Sequence, residues 1–304
     1  MPAIPLLVSH TSFDASFRLL ESVEASQDGE IMIQFVRRYG VRVLLGATLL
    51  ALLSGVMNIW LPYQRDLRLS KRIESVGGIA ILHSPDEYLL SHGLWELHAQ
   101  VPVFARLAEV QLHEEVPSDL LEDILQCRSL SLLLVTGRNV RDADLKNLQK
   151  MTELSHLSLL KTSISDLGLK NLRELSYLDT LDLSETEIGD EGLRFLRELP
   201  LVQIALADTK VTDEGLEQLA GATGLRSIYL DKTNIGDLGL LHLRGLFRLE
   251  RLDAISTPIS DAGLVHLRGL NNLDYLDLNN TQTTVEGRDM LRKALPKCRI
   301  FPQP

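Results

Sequence analysis

A phrase about two dozen residues long returns along the C-terminal two-thirds of this chain, and no other feature limits the possible folds so strongly. Leu154, Leu157, Leu159, Thr162, Ile164, Asp166, Gly168, Leu169 and Leu172 hold offsets that restart at Leu178, Leu201, Leu225, Leu249 and Leu273. Looser versions begin at Leu130 and Leu107, which makes about eight units. A fixed period of this length marks a solenoid, in which each unit packs only against its neighbours.

The grammar inside a unit says how it folds. Leu-x-x-Leu-x-Leu ends in period-two alternation, the pattern of a short half-buried strand, so Leu181 and Leu183 point inward while Asp182 and Ser184 point out. Downstream, Asp190 precedes Gly192, Leu193, Leu196 and Leu199, an apolar stripe at helical spacing behind an acidic residue suited to capping free N–H groups at a helix start. The unit reads strand, turn, helix, turn. Alone it exposes its leucines; stacked, it contributes to one continuous core at about 1.5–3 kcal/mol per fully buried large aliphatic side chain. The threonine column, from Thr162 to Thr281, closes each strand where backbone groups lose their ladder partners, and hydroxyls can satisfy them. The glycine column, from Gly168 to Gly287, falls in the first helical turn, where a missing Cβ lets units approach closely.

These residues together resemble leucine-rich repeats of the threonine type, L-x-x-L-x-L-x-x-T-x-I-x-D-x-G-L-x-x-L, over Leu107 to Ile300. The resemblance implies an α/β solenoid with a parallel sheet on its concave face and helices on the convex one. Departures sit at the ends: Arg138 and Asp144 replace Thr and Gly in the unit from Leu130, and Val285 replaces Asp in the last. Terminal units are expected to be atypical.

Upstream, Val43 to Leu61 runs 19 residues without a charge, long enough to span a bilayer. Arg37, Arg38 and Arg42 precede it, and Tyr39, Trp60 and Tyr63 stand at its ends, where aromatic rings favour the interface. The expected organisation is a disordered tail over 1–40, a transmembrane helix over 41–62, a connector and N-terminal cap over 63–106, and the repeat domain over 107–304. In the connector, Arg65 to Val76 reads as a helix, Gly78 to Leu82 as a strand, and Pro85 to Phe104 as one or two helices. We expect an uncleaved anchor, although Met32 followed by Arg37 and Arg38 would make a plausible shortened start. Basic residues flank the segment on both sides, so orientation comes from resemblance to bacterial single-pass proteins whose repeats face outward.

The chain carries 41 acidic and 31 basic residues, a net charge of −10, which repels nucleic acid. Cys127 and Cys298 lie at opposite ends of the array, too far apart for a disulfide at about 4.8 Å per strand. No phosphate-binding loop, nucleophile elbow, zinc-protease, C-x-x-C or EF-hand phrase occurs. His242 and His266 share an offset in adjacent units, but helix axes about 8–10 Å apart and the lack of further ligands argue for polar surface residues instead of a metal pair. No catalytic residue, cofactor or metal is expected.

What remains is the outward columns of the strands. With the next two outward offsets they hold eight acidic side chains against Lys161, Lys232 and Arg251. Tyr229, Asp231, Arg251, Asp253, Tyr275, Asp277 and Asn279 cluster in three consecutive units, and hot spots favour Tyr and Arg. They are the candidate partner-binding residues of a membrane-anchored, non-catalytic scaffold for a basic or polar protein ligand. Leu132, Leu134 and Leu160 form a smaller apolar group, expected under the capping segment. A structural or adhesive envelope component would use the same architecture. A soluble ubiquitin-ligase-type adaptor is the other alternative, opposed by the apolar segment and by the lack of an F-box-like stretch.

Overall fold

The computed structural model describes residues 62, 64–83, 106–113 and 115–303. The chain divides into two units, Met1–Leu61 and Pro62–Pro304, and the described residues all belong to the second. The expected tail, the apolar segment 43–61 and the helices of 85–104 therefore lie outside the described residues. Among those described, no helix is long and apolar enough to cross a membrane.

The repeats form a ten-stranded sheet in simple sequence order. After a helix over 64–75, β1 (Ile79–His83) pairs antiparallel with β2 (Arg106–Leu112). From there every neighbour is parallel: β3 (Leu132–Val135), β4 (His156–Ser158), β5 (Thr180–Asp182), β6 (Gln203–Ala205), β7 (Ser227–Tyr229), β8 (Arg251–Asp253), β9 (Tyr275–Asp277) and β10 (Arg299–Phe301). Register is constant, so Leu157, Leu181, Ile204, Ile228, Leu252, Leu276 and Ile300 form one inward row. That row is fully buried, as are the leucines of the helical segments behind it, Leu169, Leu193, Leu216 and Leu240. The result is an α/β solenoid, as the spacing predicts, with the sheet on one side of the core and helical segments on the other, as the resemblance to leucine-rich repeats implies. Those segments are short: Asp213–Leu219 and Asp237–Leu243 are seven-residue α-helices, whereas Asp166–Leu169 and Asp190–Leu193 tighten at once into 3₁₀ turns.

The threonine column closes the strands by turning back on its own unit. Each hydroxyl donates to the carbonyl three residues earlier, as Thr186 does to Leu183 at 2.5 Å and Thr233 to Leu230 at 2.6 Å. The residue before each threonine adopts left-handed backbone, Lys161, Glu185, Asp208, Lys232, Ser256 and Asn280 having φ between 53° and 59°. Such a conformation costs a non-glycine residue about 1–2 kcal/mol, so the hydroxyl bond and the cross-unit strand bonds must outweigh it.

The aspartate column differs from its expected role. Asp190 is not the cap of its own helix; that position is Gly189. Its carboxylate reaches into the next unit, accepting from Thr212 N–H at 2.7 Å and from Thr212 Oγ1 at 2.7 Å. The same bond joins Asp142 to Ser165, Asp166 to Gly189, Asp213 to Gly236, Asp237 to Ser260 and Asp261 to Thr284, all at 2.6–2.8 Å. Each carboxylate thus satisfies an orphan N–H at the helix start of the following unit, an ionised acceptor that strengthens the bond. Glycine makes it possible: a Cβ at Gly215 would stand 2.3 Å from Asp190 Oδ1, and one at Gly239 2.5 Å from Asp213 Oδ1. D-x-G is therefore one device, the acid of one unit filling the space left by the glycine of the next.

The Asp144 departure in the unit from Leu130 follows from this device. Asp119, at the aspartate offset of the unit from Leu107, is drawn to Arg72 of the first helix at 2.8 Å. With no carboxylate reaching it, the glycine position of the following unit can hold Asp144, which accepts from Arg141 N–H instead. Val285 stands at the aspartate offset of the unit from Leu273. The helix over 64–75 also inserts Leu69 and Ile73 into the core and presents buried Asp66 to Leu107 N–H at 3.3 Å. At the other end Arg292 donates to the carbonyls of Ile300 and Pro302 at 3.0 and 2.9 Å. Cys127 and Cys298 are both buried, and Cys127 Sγ lies 3.9 Å from Asp66 Oδ1.

Gly215→Ala should therefore lower stability by about 1–3 kcal/mol, the range for forcing extra volume into a packed site. Gly245→Ala, with nothing within 4 Å of the added Cβ, should leave the thermal midpoint unchanged or slightly raised. Equal midpoints for the two variants would contradict the device.

Candidate functional site

Residues two apart on a strand share a face, so the constant register lines up two outward columns. One runs Glu109, Leu132, His156, Thr180, Gln203, Ser227, Arg251, Tyr275, Arg299; the other runs Gln111, Leu134, Ser158, Asp182, Ala205, Tyr229, Asp253, Asp277, Phe301. The N-terminal part of this face is plain. Leu132, Leu134 and Leu160 are half-buried, and Ser158 donates to Asp182 at 3.1 Å. The C-terminal part is dense.

There, Arg251 lies between two tyrosines. Its guanidinium carbon is 5.4 Å from the ring centre of Tyr229 and 4.0 Å from that of Tyr275. Arg299 lies 5.6 Å from the Tyr275 ring, and Phe301 tilts against that ring at 5.4 Å. Cation–π contacts within about 6 Å contribute about 0.5–1 kcal/mol at exposed sites and more when dry, and the stack holds Arg251 extended along the sheet. There it also forks onto Asp253 Oδ2, with Nη2 at 2.9 Å and Nε at 3.2 Å.

The carboxylates surround this stack. Asp277, nearly buried, accepts from Asn279 N–H at 2.9 Å and Nδ2 at 2.6 Å, and Tyr275 Oη approaches its other oxygen at 3.4 Å. Asp231 accepts from Ile255 N–H, one unit along, at 2.7 Å. All seven expected residues thus form one contiguous patch. Burial, then the charges of Asp253 and Asp277, raise the Asp231 pKa despite the Ile255 bond and Arg251. Burial and the same two aspartates raise that of Tyr275, whereas the bond to Asp253 raises that of Arg251. Each shift reports the same excess of negative charge in a partly dry place.

One feature escaped the sequence. Asp253 is buried, and its Oδ1 has no hydrogen-bond partner. Pattern alone places Asp253 outward in contact with solvent; Arg251, held down by the two rings, covers it instead. Elsewhere, His242 and His266 stand half-buried on the helical side, and among the described residues no group of His, Cys, Asp or Glu is arranged to hold a metal ion.

No family model matches the chain, and no curated protein matches it. Among solved structures, an internalin C2 from Listeria monocytogenes str. 4b F2365 is similar at 25% identity, over 53% of this chain and 84% of that one, with a TM-score of 0.40.

The raised Asp231 pKa gives a signed prediction. Its folded form holds a proton more readily than the unfolded chain does, so its contribution to stability is greatest at acid pH and is lost as pH rises through the folded pKa. Asp231→Asn keeps an acceptor for Ile255 N–H and removes the charge. It should raise the thermal midpoint at pH 7, with the gain shrinking as pH falls through the carboxylate range. A lower midpoint at pH 7 would contradict this.

Proposed function

We propose that this protein is a membrane-anchored, non-catalytic recognition scaffold that binds a protein partner on the outer face of its sheet. The observation that carries the reading is the stack of Tyr229, Arg251 and Tyr275 set among Asp231, Asp253 and Asp277. Aromatic and arginine side chains dominate binding hot spots, and here both are held rigid on strands, so little conformational freedom is lost on docking. The acid excess suits a basic or polar partner and steers its approach. Asn279 adds an amide at the edge of the patch. The carboxylates are engaged by arginine, tyrosine and backbone donors, an arrangement built for contact instead of for proton transfer to a substrate.

The apolar segment 43–61 supplies the anchor in this reading, single-pass, with the repeat domain outside the cytoplasm. The boundaries follow: tail 1–40, helix 41–62, cap 63–106, repeats 107–304. The cap is supported by β1 on the sheet edge and by the Arg72 bridges to Asp119 and Asp123.

Two experiments test the reading separately. Partners crosslinked to the full chain in intact cells should be recovered about ten-fold less with Tyr229→Ala, Arg251→Ala and Tyr275→Ala combined; undiminished recovery overturns the surface. Intact protein should stay in the membrane pellet after alkaline carbonate washing, and its release without detergent overturns the anchor.

A further inference from the structure

The helical segments of successive units end on one rim of the solenoid, the rim where the strands begin. Their C-cap residues form a column there, Arg173, Arg197, Ala220, Arg244 and Arg268. The helix dipole favours a cation at such a position. It does not explain Phe247 and Arg248, exposed in the turn beyond, the ring at 63%, or exposed Lys297 in the corresponding turn of the last unit. Nor does it explain how charge is distributed along the column. Arg173 and Arg197 are each followed by a glutamate, Glu174 and Glu198, whereas Arg244 and Arg268 are followed by Gly245 and Gly269. The nearby acids Glu250 and Asp289 pair with Arg226 and Arg292, and among the described residues Arg244, Arg248 and Arg268 form no ion pair. In a chain of net charge −10, exposed Arg244, Arg248, Arg268, Lys293 and Lys297 are thus gathered around an exposed phenylalanine, with Asp274 as the exposed acid beside them.

The chain enters the repeat domain on this same rim. Asp66, in the first turn of the helix over 64–75, accepts from Leu107 N–H near the start of β2 and lies beside Cys127, just past the helix Ser118–Ile124. That helix ends at the opposite rim, where a Cβ on Gly78 would stand 2.8 Å from the carbonyl oxygen of Gln111. The uncharged run 43–61 stops directly before Pro62. At no more than about 3.6 Å per residue, a tether ending there draws this rim toward the bilayer and not the opposite one. We infer that the patch of Arg244, Phe247, Arg248, Arg268, Lys293 and Lys297 rests on the headgroups of anionic phospholipids, a second contact of the protein with the membrane. The inference rests on the anchor proposed above for its geometry. Guanidinium groups fork onto phosphate oxygens, and an exposed ring among them can enter the interfacial layer, a combination that suits a lipid surface. Each basic residue favours an anionic surface by about five-fold, and a tether raises the effective concentration, so a modest patch suffices. The recognition patch lies on the sheet face, so lipid at the rim leaves Tyr229, Arg251 and Tyr275 open to a partner.

The test uses the full chain reconstituted into vesicles that carry a nitroxide on the lipid headgroup, with a fluorophore attached through Asn271→Cys, exposed on this rim, or through Gln282→Cys, exposed on the opposite one. The two native cysteines are buried, and the unsubstituted chain labelled in parallel gives the background. Quenching at position 271 should be at least about two-fold stronger in phosphatidylcholine mixed with phosphatidylglycerol than in phosphatidylcholine alone, and the excess should vanish in high salt. Arg244→Gln, Arg248→Gln and Arg268→Gln combined should also abolish the excess, and the probe at 282 should show none. Circular dichroism checks that the triple variant folds; if it does not, the salt dependence of the unsubstituted rim decides. Equal quenching in the two kinds of vesicle, an excess that survives salt or the triple substitution, or an equal excess at 282 overturns the inference. If carbonate releases the protein while the probe at 271 still responds to lipid charge, the anchor fails and the rim contact stands. If the protein resists carbonate and the probe ignores lipid charge, the anchor stands and the rim contact falls.

Discussion

No unit of this chain can bury its own leucines, and that constraint governs everything else. A strand of three residues and a helix of one or two turns make a surface with an apolar side and no cover for it. The cover is the next copy, so units must come together closely, in one register, many times over. The inward row from Leu157 to Ile300 and the helical leucines behind it are the outcome. Hydrophobic burial gives the stacking its strength but little direction. Direction comes from the bond between the aspartate of one unit and the helix start of the next, which has room to form only where a glycine stands.

Because sheet and helices are fixed from the inside, the outward strand positions take no part in the leucine core and vary widely from unit to unit, though some, such as Asp182 and Asp277, also hold a turn N–H. At Glu109 to Asp182 the chain places residues with unremarkable surroundings. From Tyr229 to Phe301 it places rings, guanidinium groups and carboxylates in consecutive strands at constant register. The spacing between units then becomes the spacing between functional groups, which is how a short chemical alphabet yields a preorganised patch. The local excess of acid is the consequence, visible in the raised pKa of Asp231 and in the unpaired oxygen of Asp253.

Much of the solenoid could be read from the sequence because its signals are local. Period-two alternation gives the strands and their faces, so the outward columns could be written down residue by residue, and Thr186 or Thr233 at a strand end implies a turn that needs a hydroxyl. The partners that fix the stacking could not be read this way. Asp190 and Thr212 lie one unit apart, and nothing near Asp190 distinguishes a cap for its own helix from a donor-seeking arm to the next. Asp144 reads in the sequence only as part of an atypical end unit, because the reason for it, Arg72 drawing Asp119 away, lies far off along the chain. At the candidate site the membership of the patch followed from the columns, but the burial of Asp253 did not, because it depends on Arg251 lying flat between two rings.

The central claim is that the carboxylate bond across each junction, and not leucine burial alone, holds neighbouring units in register. Native-state hydrogen exchange at Ser165, Gly189, Thr212, Gly236, Ser260 and Thr284 measures it most directly, since each of these amides donates to the aspartate of the preceding unit. The account predicts protection approaching that of the strand amides of β5 to β9. Exchange of those six amides at the rate of unstructured peptide, beneath a sheet that stays protected, would contradict it.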